Sequence, residues 1–169
     1  MRADENMDYH LARLLILISH FGGPGSKGID GITKLAKLDF LLRYPSFTDR
    51  LLPSRNASWP LGCEPNDNER EAVESRSIRY KYGPWDNRYY PLLGRLVGYG
   101  LAESFRGRSG VVVRLTEPGA QLARQLGQSE EWQVVDGRSE MLSSRFNLQG
   151  NRLRKMIYEA LPEVIETPS

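Results

Sequence analysis

Arg106 and Arg108 stand on either side of Gly107 in a short polar stretch, Arg106-Gly107-Arg108-Ser109-Gly110. Paired guanidinium groups on a tight loop suit the binding of phosphate oxygens, which gives affinity that falls with salt and is blind to base sequence. A solvated hairpin tip of the same composition is the plain alternative. Arg79 and Lys81 add cations to one face of Ile78-Arg79-Tyr80-Lys81-Tyr82, with Tyr80 and Tyr82 on the other. An amphipathic strand with its aromatics inward explains that alternation more simply. With Arg88, Arg95 and Arg114, residues 78–114 hold seven Arg or Lys against Asp86 and Glu103. The preceding stretch is acidic, with Glu64, Asp67, Glu69, Glu71 and Glu74 against Arg70 and Arg76. A basic module therefore adjoins an acidic one, a pattern the small net charge of +2 conceals.

Other chemistries find little footing. His10, His20 and Cys63 lie far apart in sequence and form no zinc-type spacing. Gly22-Gly23-Pro24-Gly25-Ser26-Lys27 lacks the order of a phosphate-binding loop, and there is no nucleophile elbow. The expectation is a protein with no catalytic residues, no metal and no cofactor. One cysteine excludes an intrachain disulfide and fits a reducing cytosol. The apolar run Leu14–Ile18 is too short for a signal or a membrane span, so a cytoplasmic protein is expected.

The elements that would position these cations follow from periodicity. Leu11, Leu14, Leu15 and Ile18 mark a first helix ending near Phe21, and glycine-rich residues 22–26 form a loop. Ile32, Leu35, Leu38 and Leu42 mark a second helix, with Asp39 and Arg43 as a helix-surface pair and Pro45 at its end. Residues 46–77 read as an acidic, proline-rich insertion that Trp59 and Leu61 could pin to the core. Ile78–Tyr82 is a strand, and a helix from about Pro91 stops at Gly98-Tyr99-Gly100. Leu101–Phe105 and Val111–Leu115 form a hairpin. Thr116 caps the next helix, with Pro118 in its first turn. Two further helices follow, one capped by Ser129 with Trp132, Val135, Leu142 and Phe146 on one face. The other is capped by Asn151, with Leu153, Met156 and Ile157 inward and Arg152, Arg154 and Lys155 outward.

Helix, two-stranded wing, helix is the plan of a winged helix-turn-helix. The expected fold is mainly α with a small β-wing: a winged-helix domain over 1–127 and a helical extension over 128–169. Arg88, Tyr89, Tyr90 and Arg95 fall at the start and outer face of the recognition helix, where base contacts are made. Pro91, Gly94 and Gly98 deplete that helix of polar side chains. Glycines four apart allow another element to approach, which points to Gly94, Gly98, Tyr89 and Tyr90 as partner contacts.

Three segments carry a family resemblance. Leu35-Ala36-Lys37-Leu38-Asp39-Phe40-Leu41-Leu42-Arg43-Tyr44-Pro45 is the most specific. Tyr82-Gly83-Pro84-Trp85-Asp86-Asn87-Arg88-Tyr89-Tyr90 runs on into Leu92 and Leu93. Asn151-Arg152-Leu153-Arg154-Lys155-Met156-Ile157-Tyr158-Glu159 is followed by Leu161-Pro162-Glu163. Together they resemble the middle component of bacterial ABC-three-component systems, which includes the accessory subunit of Lamassu-type anti-phage defence. The resemblance implies a small winged-helix subunit bound to an SMC-like ATPase, in a complex with an effector such as a nuclease, that helps contact double-stranded DNA. The same fold would also suit a free-standing transcriptional regulator, dimeric through its C-terminal helices.

Overall fold

The computed structural model describes residues 3–73, 86–108 and 110–160. It is mainly helical, with one small antiparallel sheet. Helix α1 (Ala3–Phe21) leads through the glycine-rich loop to β1 (Ile29–Asp30) and α2 (Ile32–Arg43). Next come α3 (Pro45–Asp49), a 3₁₀ turn (Pro53–Arg55) and α4 (Asp67–Val73). A second 3₁₀ turn (Asp86–Arg88) opens α5 (Tyr89–Gly98). The hairpin is β2 (Ala102–Gly107) and β3 (Gly110–Leu115), followed by α6 (Glu117–Gln128), α7 (Gln133–Arg145) and α8 (Gly150–Ala160).

The core is built where periodicity placed it. Leu14, Leu15 and Ile18 of α1 and Leu35, Leu38 and Leu42 of α2 belong to one buried cluster, all nearly inaccessible. The C-terminal helices share that core, since Leu142, Phe146, Leu153 and Ile157 belong to the same buried cluster. Thr116 caps α6 by accepting from the Gly119 amide at 3.1 Å, with a proline in the first turn as expected. Helix α5 ends in a Schellman arrangement: Leu101 N–H donates to the Leu96 carbonyl and Gly100 N–H to that of Val97, with Gly100 at φ +76°. Gly119 is required by closeness, because a Cβ there would lie 1.8 Å from the Leu101 carbonyl oxygen. That contact seats α6 against the start of the hairpin.

The sheet order is β1-β3-β2, and β1 was not foreseen. Two residues are too few to show alternation. Ile29 pairs with Val113 and Asp30 with Val112. The flanking loop joins in, with Leu115 N–H donating to Gly22 and Gly31 N–H to Val111. Hairpin pairing extends from Ala102↔Leu115 to Gly107↔Gly110, so β2 starts one residue later and reaches two residues further toward the tip than the expected strand.

Two caps differ from expectation. Trp132, not Ser129, is the residue before α7, because Ser129–Trp132 closes as a turn of its own. Helix α8 starts at Gly150, and the Gln149 carbonyl accepts from Arg152 and Leu153, so Asn151 lies inside the helix. The strand at 78–82, with Arg79 and Lys81, and the turn with Trp85 lie outside the described residues.

The described part of the insertion, 46–73, is tied to the body. Phe47, Leu51 and Leu52 enter the core. Trp59 donates its indole N–H to Asp49 at 2.8 Å, whereas Leu61 is fully exposed and pins nothing. Asn66 and Glu69 form a reciprocal capping box at the start of α4. Arg138 of α7, itself buried, donates to the Cys63 and Glu64 carbonyls and to both Glu69 carboxylate oxygens. Replacing Arg138 with Met would strand two carbonyls and a half-buried carboxylate. The expected cost is about 2–4 kcal/mol, read as a lower urea midpoint and faster proteolysis within 46–73.

Candidate docking and nucleic-acid surface

Helix α5 and the hairpin carry most of the described residues that the sequence marks for binding. What sets their orientation is a buried polar cluster. Asp39 of α2 is completely inaccessible. Its carboxylate accepts from Arg13 of α1 twice, Nε to Oδ1 at 2.7 Å and Nη2 to Oδ2 at 2.9 Å. The Tyr89 hydroxyl donates to Oδ2 at 2.6 Å. Asp39 still attracts Arg43, but from a buried position, so the expectation that the i,i+4 pair lies on the helix surface is corrected. Tyr89 is likewise withdrawn as a partner contact, because its side chain is buried at 2 % exposure. Nothing in the spacing of Arg13, Asp39 and Tyr89 announces the cluster, since it joins residues 26 and 50 positions apart.

The electrostatics follow from that geometry. Burial alone would raise the Asp39 carboxyl; the Arg13 guanidinium, with Arg43 and the Tyr89 hydroxyl, more than offsets it and leaves it below its ordinary value. Burial and the Asp39 charge push the Tyr89 hydroxyl upward. His10 Nδ1 lies 2.7 Å from Arg13 Nη1. Burial, then the charges of Arg13 and Arg43, lower its pKa to about 4.

Tyr89 shares the inward face of α5 with Leu93 and Leu96. This turns Tyr90, Gly94 and Val97 outward at the same spacing, with Gly98 and the following Tyr99. Tyr90, Val97 and Tyr99 are exposed large apolar side chains. A Cβ at Gly94 or Gly98 would meet no atom within 4 Å. Arg95 is the only charged residue of the helix and is exposed, as is Arg88 before it. Beside the end of α5 an apolar groove of about 240 Å³ opens between α1 and α6, lined by Leu11, Leu15, Leu96, Tyr99, Leu122 and Leu126.

On the hairpin, Arg106 and Arg108 are both exposed, the latter at the tip. Arg114 is not available in the same way. It pairs with Glu103 across the strands, donates to the Ser26 carbonyl at 2.9 Å and lies over the Phe105 ring. The structure thus presents Arg88, Arg95, Tyr90, Gly94 and Gly98 on or beside α5 and Arg106 and Arg108 on the hairpin. Among the described residues, no group of three His, Cys, Asp or Glu could hold a metal ion. No described helix is long and apolar enough to cross a membrane. No family model, curated protein or solved structure matches the chain.

Asp39→Asn keeps the shape but leaves the Arg13 charge buried without its counter-charge. The expected destabilisation is about 3–5 kcal/mol, measured by urea unfolding at neutral pH. A second outcome concerns acid. The folded pKa of His10 lies below its ordinary 6.5, so between 6.5 and about 4 the unfolded chain binds the extra proton. Stability therefore falls as the pH drops through that window. His10→Gln should flatten the fall in melting temperature there, and an unchanged slope would remove His10 as its source.

Proposed function

We propose that this chain is a non-catalytic winged-helix subunit of an SMC-like ATPase complex in anti-phage defence, docking on the ATPase and an effector and helping to contact DNA. The element order supports the fold reading: helix, short strand, helix, helix, then a hairpin whose inner strand pairs with the first. In that frame α2 and α5 are the helix-turn-helix pair, separated by the insertion, and β2–β3 is the wing.

One observation carries the docking part. The outward face of α5 is apolar and bare, with Tyr90, Val97 and Tyr99 around two glycines whose missing side chains touch nothing. Reading base edges needs hydrogen-bonding side chains. An exposed, smooth apolar face suits the close approach of another protein surface. The identity of that partner as an SMC-like ATPase rests on the resemblance of the segments at 35–45, 82–90 and 151–163. The basic wing tip supports a non-specific DNA contact.

The experiment is affinity purification of the tagged protein from its native cell with mass spectrometry of what co-purifies. A large coiled-coil ATPase, with or without a nuclease, is the expected result. A lone homodimer enriched on one promoter fragment would instead make it a transcriptional regulator. Gly94→Leu sharpens the assignment. The added side chain enters open space, so the melting temperature should hold or rise, while partner recovery should drop at least tenfold. Normal recovery would take the α5 face out of the interface.

A further inference from the structure

A cleft lies away from α5, between the 3₁₀ turn at Pro53–Arg55 and the outer face of α8. It has a volume of about 580 Å³, and Arg50, Arg55, Arg152 and Lys155 line it against one carboxylate, Glu159. Four cations against one carboxylate give the cleft a local excess of three positive charges, above the +2 net charge of the whole chain. Arg55 is held in place, with Nε donating to the Arg145 carbonyl at 2.8 Å. Arg152 and Lys155 are exposed.

The helix that bears these cations sets them against its own dipole. Arg152, Arg154 and Lys155 fall in the first two turns of α8, which has no acidic residue in its first turn. A helix N-terminus already carries partial positive charge, so cations there are disfavoured unless an anion is bound. Helix α2 also starts without an acidic residue. The two ends meet: a Cβ on Gly150 would lie 2.9 Å from the Lys34 backbone nitrogen. A second cleft, of about 390 Å³, opens at this junction, lined by Thr33, Lys34, Gly150 and Asn151, with Asp30 as its one carboxylate. Lys34 Nζ donates to Asn147 Oδ1 there at 2.6 Å. Asp30 in turn stands beside the hairpin, 3.0 Å from where a Gly107 Cβ would be. Cations thus stand at the hairpin tip, at the helix junction (Lys34) and along α8 to Arg55 and Arg50, with the Asp30 carboxylate between the tip and the junction.

We infer that this surface is a second phosphate-backbone track for duplex DNA, separate from the hairpin tip. The inference rests on the proposed DNA contact and extends it to α8. A linear polyanion with closely and regularly spaced charge matches cations spread along several elements, where a compact anion would call for convergence on one point.

The test is fluorescence anisotropy of a labelled mixed-sequence duplex titrated with the full-length protein over a salt series. Arg152→Glu with Lys155→Glu should weaken binding about tenfold and lower the salt slope by about two. Helix content and melting temperature should hold, because both residues are exposed; Arg152→Gln with Lys155→Gln repeats the measurement with smaller perturbation. Wild-type affinity and slope in both double variants, while Arg106→Glu with Arg108→Glu abolishes binding, would overturn the track and leave the hairpin contact standing. Failure of the wild type to bind duplex would overturn both. Tight binding of poly-glutamate, with no binding of duplex, would give the surface to an acidic protein segment and also overturn the assignment.

Discussion

The arrangement of α1, α2 and α5 depends on satisfying one buried carboxylate. Asp39 has no access to water, so every lone pair it presents must be met from within the protein or be lost. Arg13 supplies two donors from α1 and Tyr89 one from α5. Apolar packing alone tolerates small rotations and slips of a helix, because hydrophobic contact is not directional. Three hydrogen bonds to one carboxylate are directional. Turning α5 about its axis would withdraw the Tyr89 hydroxyl and leave the carboxylate short of a donor. The cluster is thus better understood as a register device than as a source of net stability, since desolvating such a pair costs about as much as its attraction returns.

Register then decides what the protein shows to the outside. With Tyr89, Leu93 and Leu96 held inward, Tyr90, Gly94 and Val97 are outward by helical geometry. The hairpin is placed by a different set of constraints. Its inner strand pairs with β1; along the same edge the Gly22 carbonyl before β1 accepts from Leu115 and the Gly31 N–H after it donates to Val111. Gly28 is at φ +77° and so close to Val113 that a Cβ would come within 2.5 Å of its carbonyl oxygen. Gly119 holds α6 equally close to Leu101. Both surfaces are therefore fixed to one core, and α5 also packs directly against β2.

Sequence periodicity placed most of the helices and the hairpin because each repeats a local pattern long enough to read. It placed Thr116 and Gly100 because capping chemistry is local as well. It missed β1, which is only two residues long and exists through pairing with β3. It misread Asp39 and Tyr89 for the opposite reason to a weak signal. An Asp four residues before an Arg is a familiar surface pattern, and a Tyr at a helix start is a familiar exposed position. Only the approach of α1, bringing Arg13, makes either of them interior. The Arg138 cluster escaped notice on the same grounds, since its acceptors lie at least 69 positions away. Long-range polar contacts leave no periodic trace, whereas exposed cations such as Arg106 and Arg108 can be found by composition alone.

The glycines separate internal demands from external ones. Gly119, Gly28 and Gly150 each abut backbone so closely that a side chain cannot be added in place. Their presence is explained inside the chain. Gly94 and Gly98 have no such neighbour, and Gly94 sits in the interior of a helix, where glycine costs about 1 kcal/mol relative to alanine. Nothing among the described residues offsets that cost, and the exposed Tyr90, Val97 and Tyr99 beside it add an apolar surface left to water. A face that weakens its own helix and remains apolar is the feature on which the proposed docking role rests. Arg95 on α5 and Arg88 before it are exposed as well, but most of the exposed cations described above lie along the hairpin tip and α8.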